Sequence, residues 1–314
     1  MQLKSSSRGS ATGRALPGRP AFTLLELLVV IALIATLTFV AVPAFKGFGQ
    51  ANALAAAQRQ IQDDLALARQ LAIKQRVPVY MVFFSPNPDR TDPSAQAFAA
   101  QVASIHTTLA AQADSDYREH ALRVFTNLFA GQHASYAFYA EGRVGDQPVL
   151  ASDAADPNGA ADLRLGRYLT VGGSIWRTLP DGIVLAPQMR LRLATQLSTN
   201  LPTRPVPFPL AAEPGDGASL QLALPVIAYD ALGRSMVVNT NTGRIEVNAP
   251  PVDRFVAIGH GSVFIPHDPV ATNNFAFGEI ADLVEAPKEN YTNTIFRVTG
   301  LTGRARKFAF GTQP

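Results

Sequence analysis

The chain has 314 residues, 47% of them hydrophobic and 16% charged, with 23 glycines, 23 prolines and no cysteine. Lack of cysteine excludes disulfides, thiolate metal sites and a thiol nucleophile. The formal charge of +3 is set by the first residues: 1–21 hold Lys4, Arg8, Arg14 and Arg19 and no acid, so 23 basic side chains face 24 acidic ones beyond them, a net of −1, and no nucleic-acid partner is expected.

Residues 1–20, rich in Gly, Ser, Pro and Arg, are expected to be disordered. Residues 27–45 carry no charge and number nineteen, about 28 Å of helix at 1.5 Å per residue, close to the thickness of a bilayer's hydrocarbon core. The cations all precede this run, which is expected to place the N-terminus in the cytoplasm and the bulk of the chain outside. A secretory signal cut near residues 42–44, a plain membrane anchor, and a helix in which Glu26 has a role all fit these features. A carboxylate in a lipid-facing helix costs about 2.5–3.5 kcal/mol near its centre, and only the third reading offers a return on that cost.

The stretch Phe22-Thr23-Leu24-Leu25-Glu26-Leu27-Leu28-Val29-Val30-Ile31-Ala32 resembles the processing segment of the type IV pilin and pseudopilin family. The resemblance implies a basic leader, 1–21, removed by prepilin peptidase between Ala21 and Phe22, with methylation of the new amino group. Ala21 stands where the family has glycine. Pro43 sits where many members have a helix-kinking proline. Glu26 becomes the fifth mature residue, and pairing with the Phe22 ammonium of a neighbouring subunit would relieve two charges buried in an apolar bundle.

Residues 46–76 resume helical character, dense in alanine and glutamine. Leu54, Ile61, Leu65, Ala68 and Ala72 define one face, expected to pack on the chain's own sheet. Asp63, Asp64, Arg69 and Lys74 read as solvated. Pro78 is expected to end the helix. The pattern from Leu65 to Val79, with Ala68-Arg69, Ala72-Ile73 and Pro78-Val79, resembles H-type minor pseudopilins (GspH/FimT-like). So does Ala228-Tyr229-Asp230-Ala231-Leu232-Gly233-Arg234-Ser235, followed by a Thr-Gly-Arg turn. The length of the globular part also resembles the Verru-Chthon cassette D proteins.

Beyond the helix, residues 79–84, 98–107, 122–125, 134–140, 183–187, 222–229, 236–239, 244–247, 295–298 and 305–310 read as strands. Residues 254–258 and 262–265 read as a pair joined across Gly259-His260-Gly261. Residues 85–96 and 153–163 read as loops, and 201–219 as too rich in Pro and Gly for regular structure. Thr-Gly-Arg occurs at 242–244 and 302–304, where glycine is expected to take positive φ.

The histidines, His106, His120, His133, His260 and His267, form no zinc spacing, and there is no nucleophile elbow or P-loop. The loop from Asp156 to Asp162 places oxygen ligands about Gly159 but lacks a full calcium ladder. Asn290-Tyr291-Thr292 fits a glycosylation acceptor. The expected fold is therefore α+β and pilin-like: a long N-terminal helix, transmembrane over 22–45 and amphipathic over 46–76, packed on an antiparallel sheet within a β-rich globular domain, 77–314, with enlarged loops. The expected function is that of a structural subunit, minor in the assembly, of a type IV pilus or type II secretion pseudopilus in the bacterial inner membrane. It would have no enzymatic activity, cofactor or metal. Its partners would be prepilin peptidase, other pilin or pseudopilin subunits, the inner-membrane assembly platform and the membrane. The alternative is a periplasmic binding protein or enzyme that uses 22–45 only as an anchor.

Overall fold

The computed structural model describes residues 24–141, 167–185, 201–207, 220–239, 243–246, 248–268, 275–285 and 294–308, with the side chains of 40–51 outside that description. The chain divides into two units, residues 1–49 and 50–314. Helix α1 is Leu24–Gln75. The expectation of a transmembrane first half is not met: among the described residues no helix is long and apolar enough to cross a membrane.

In the second unit α1 runs to Gln75, and Arg76 takes φ 55°, the left-handed turn that commonly closes a helix. Strand β1, Val79–Phe83, lies at the centre of the first sheet. It pairs antiparallel with β2, Ser135–Ala140, and on its other edge with β7, Gln221–Tyr229, in the registers Val79↔Ala140 and Val79↔Tyr229. Strands β3, Arg167–Leu169, and β4, Trp176–Thr178, pair with β2, while β6, Thr203–Pro207, and β8, Ser235–Met236, pair with β7.

The second sheet is built on β9, Arg254–Phe264. Its first residues pair with β11, Ile295–Val298, its middle with β5, Ile183–Leu185, and its end with β10, Asp282–Glu285; β12, Ala305–Phe308, adds to β11. The expected hairpin over 254–265 is thus one continuous strand. Glycines 259 and 261 stay extended because β5 and β10 pair along them.

The main correction concerns residues 93–130. Where the sequence suggested strands over 98–107 and 122–125 and loop over 85–96, two helices stand: α2, Pro93–Ala110, and α3, Ser115–Ala130. Asp92 and Asp114 cap them, accepting from the backbone N–H of Ser94, and of Asp116 and Tyr117, respectively. Proline at the start of α2 is preset for the first helical turn. The domain is not simply β-rich, because these helices cover the face of the first sheet that α1 does not.

Alternation along β1 shows how. Val79, Met81 and Phe83 join Ile61, Leu65, Ala68 and Ala72 of α1, with Val256, Ile258 and Phe296 of the second sheet. Tyr80 and Val82 join Phe98, Val102 and Ile105 of α2 and Phe125 and Phe129 of α3. Burial on both faces explains why β1 and β2 are continuous apolar and aromatic runs rather than alternating ones.

Candidate functional site

Two kinds of feature bear on function: the exposed helix of the first unit and three buried polar centres of the second.

Every described side chain from Leu24 to Phe39 is exposed. Leu24 is 84%, Leu25 73%, Leu37 66% and Phe39 83% accessible. Apolar residues occupy all sides of the helix, the pattern of a helix buried all round by other elements. The two hydroxyls of this stretch are turned onto the helix's own backbone: Thr36 Oγ1 donates to the Leu33 carbonyl at 2.9 Å and Thr38 Oγ1 to that of Ile34 at 2.7 Å. Glu26 is the one charged residue of 24–39 and lies in the first turn, where a carboxylate complements the helix dipole. Ala21 and Phe22 lie outside the described residues, and Pro43 lies within the span of α1.

The first buried centre fixes α1 to the sheet. Asp64, 4% exposed, accepts from the Tyr136 hydroxyl of β2 and pairs with Arg177 of β4, Nε to Oδ2 2.9 Å. Gln60 Nε2 donates to the Tyr136 oxygen at 2.8 Å and to the Thr178 carbonyl at 2.9 Å. Burial raises the Asp64 carboxyl above its ordinary value, against the lowering influence of Tyr136 and Arg177. The sequence placed Asp64 on the solvated side; it lies in fact beside the buried stripe, one residue before Leu65.

The second centre brings together side chains of β1, β2 and β6 on one face of the first sheet. Arg204 is fully buried, its guanidinium 3.9 Å from the ring centre of Tyr80 and 5.0 Å from that of Tyr139. Its Nη1 is 3.2 Å from Glu141 Oε2, which also accepts from the Tyr80 hydroxyl. Arg244 approaches Glu141 Oε1 at 3.8 Å. Burial drives the Tyr80 phenol far above its ordinary value and the Tyr139 phenol up to about 12.

The third centre is a serine and a histidine. Ser85 Oγ lies 2.8 Å from His133 Nδ1, a nucleophile–base spacing in form. Both are about 1% exposed, so no substrate reaches them. Burial depresses the His133 imidazole to about 4. The His133 backbone N–H donates to the Phe84 carbonyl at 2.8 Å and its carbonyl accepts from Leu185 N–H at 2.6 Å, so the residue joins the segment just after β1 of one sheet to β5 of the other.

Of the other histidines, His106 stacks on Phe277 with ring centres 4.2 Å apart, His120 lies beside Arg123, and His260 and His267 are in and just after β9. No group of three His, Cys, Asp or Glu that would hold a metal ion occurs among the described residues. The 156–162 loop and Asn290 lie outside them. A groove of about 560 Å³ runs between Leu67, Leu71 and Gln75 of α1 and residues 168–172 at the edge strand β3. Nothing in the sequence pointed to these ion pairs, because their partners are separated by sixty residues or more, Asp64 from Arg177 and Glu141 from Arg204 and Arg244: only Asp64's place next to an apolar stripe hinted at burial. Comparison with known proteins gives no match, whether by family, by curated sequence or by solved structure.

Proposed function

We propose that this chain is a filament subunit of the type IV pilin or pseudopilin kind, processed by prepilin peptidase before Phe22 and assembled through its N-terminal helix. The observation that carries the reading is the helix surface over 24–39: apolar on every side, exposed along its described length, and charged only at Glu26 in the first turn. Such a surface is stable when several like helices enclose it. In that bundle Glu26 pairs with the Phe22 ammonium of a neighbour, and its carboxylate fixes the axial register that uniform apolar contacts leave open. The buried centres of the second unit serve architecture: each ties separate elements together, and none combines accessible reacting groups.

The processing step is checked by mass spectrometry of the mature protein in cells that make prepilin peptidase. Loss of residues 1–21 with a methylated Phe22 is the expected result; an intact Met1 or a start at Phe45 counts against the reading. The pairing step is checked by Glu26→Ala. Leaving one buried charge without its partner costs about 3–5 kcal/mol, so incorporation into sheared filaments falls about a hundredfold or more, whereas wild-type incorporation would sink the assigned role of Glu26.

A further inference from the structure

In the second unit, three large apolar side chains that stand in water come together on one surface. Leu232 is 68%, Leu301 73% and Ile73 40% exposed. Leu232 is carried by the turn after β7 and Leu301 by the turn between β11 and β12. The two turns abut: a Cβ placed on Gly303 would lie 1.9 Å from the Gly233 carbonyl oxygen, and Ser235 N–H donates to the Gly300 carbonyl at 2.8 Å. Both rest on the end of α1, where Ile73 packs against Gly233 and Arg69 Nε donates to the Thr302 carbonyl at 2.7 Å.

The leucines are held rigidly. Asp230 Oδ1 accepts from the N–H of Leu232 at 3.0 Å and of Arg234 at 2.8 Å. Gly303 N–H donates to the Thr299 carbonyl at 2.7 Å, and Gly300 N–H to Asp253 Oδ1 at 2.7 Å. Such turns do not collapse to hide their tips. Among the described residues of these turns and of the end of α1, the cations outnumber the acids. Arg234 and Arg297 are matched by Asp230 and Asp253, while Lys74, Arg76 and Arg304 add three exposed cations.

We propose that this surface docks on an anionic lipid layer, with Leu232 and Leu301 entering the boundary between headgroups and acyl chains and the cations meeting phosphate groups. Convex apolar tips need no preformed pocket in a lipid surface, and a basic collar around them is attracted to anionic headgroups. The proposal goes beyond the filament reading and does not rest on it.

The test uses the full chain. The exposed apolar residues 24–39 are a second route to a lipid surface whatever its composition, so the measurement must read the turn itself. With no native cysteine, Leu301→Cys and, as a control on the exposed side of α2, Ser104→Cys each take a single environment-sensitive dye. Vesicles of phosphatidylcholine are compared with and without phosphatidylglycerol, and with a lipid-borne quencher. The dye at 301 is expected to shift to the blue and be quenched when phosphatidylglycerol is present, and the dye at 104 to stay aqueous. Adding Leu232→Asp is expected to lower immersion of the dye about tenfold, and Lys74→Glu with Arg304→Glu to abolish its dependence on phosphatidylglycerol. A dye at 301 that remains aqueous on both vesicles, immersion equal without anionic lipid, or immersion unchanged by these substitutions overturns the proposal.

Discussion

His133 shows how a single residue can be both required and costly. Its φ of 59° is one that few side chains adopt, and its ring is buried against Ser85 with the imidazole depressed from 6.5 to about 4. A base whose folded value lies below its unfolded value binds a proton more readily once unfolded. Its contribution is therefore fully present above pH 6.5 and is lost as pH falls towards 4, by about 3 kcal/mol in all. Asp64 works in the opposite sense: its raised carboxyl favours the folded state below its ordinary value of 3.8 and loses that contribution as pH rises to the folded value. Urea denaturation at pH 7 and pH 4.5 is expected to show the His133 loss, and His133→Asn, which tolerates left-handed φ and does not titrate, is expected to remove most of it. An unchanged pH dependence in the variant would refute this assignment. Gly303 offers a second residue-level test. Ala at Gly303 meets the Gly233 carbonyl oxygen, whereas Ala at Gly172, with φ 66°, meets nothing within 4 Å. Gly172→Ala is expected to cost about 1 kcal/mol from φ alone, and Gly303→Ala more than about 3 kcal/mol from φ and collision together, read as shifts in denaturation midpoint.

At the scale of elements, the strands were legible where apolar runs are bounded by turns, and the α1 stripe was legible from its spacing. Ile61, Leu65, Ala68 and Ala72 are all fully buried. The helices α2 and α3 were misread as strands over 98–107 and 122–125 because short apolar runs do not distinguish a strand from a buried helix segment. The better signal was the spacing of Phe98, Val102, Ile105 and Leu109, all buried on one face, together with the Asp92-Pro93 start. Strand β6 was missed because of Pro205 and Pro207. It lies at a sheet edge, where an absent N–H need not break the ladder, and it buries alternate residues. The helix pair is a true part of the core, which sets a prediction. Phe125, 1% exposed, packs on Phe129 and Phe277, and Phe125→Ala is expected to cost about 3–5 kcal/mol in chemical denaturation. A loss below about 1 kcal/mol would mean that α2 and α3 are an accessory to the sheet rather than a layer of the fold.

At the scale of the molecule, all the buried apolar residues described lie at Ala57 or later, so the two units carry different tasks. A chain of residues 50–314 is expected to fold with the denaturation midpoint of the whole protein and to sediment as a monomer, while the full chain self-associates through 24–39; sedimentation velocity on both checks this. What the sequence offered at this scale was the apolar run and Glu26. The groove and the leucine tips were illegible, because they depend on which distant turns the two sheets bring together. The same topology also has a consequence in time. Val79 of β1 takes Tyr229 as partner, 150 residues further along, and translation at about 5–20 residues per second leaves that edge open for roughly 10–30 s. During that interval the aromatic centre of the first sheet has half its neighbours, so whatever escorts the nascent chain must shield β1 as well as the apolar helix that emerged before it.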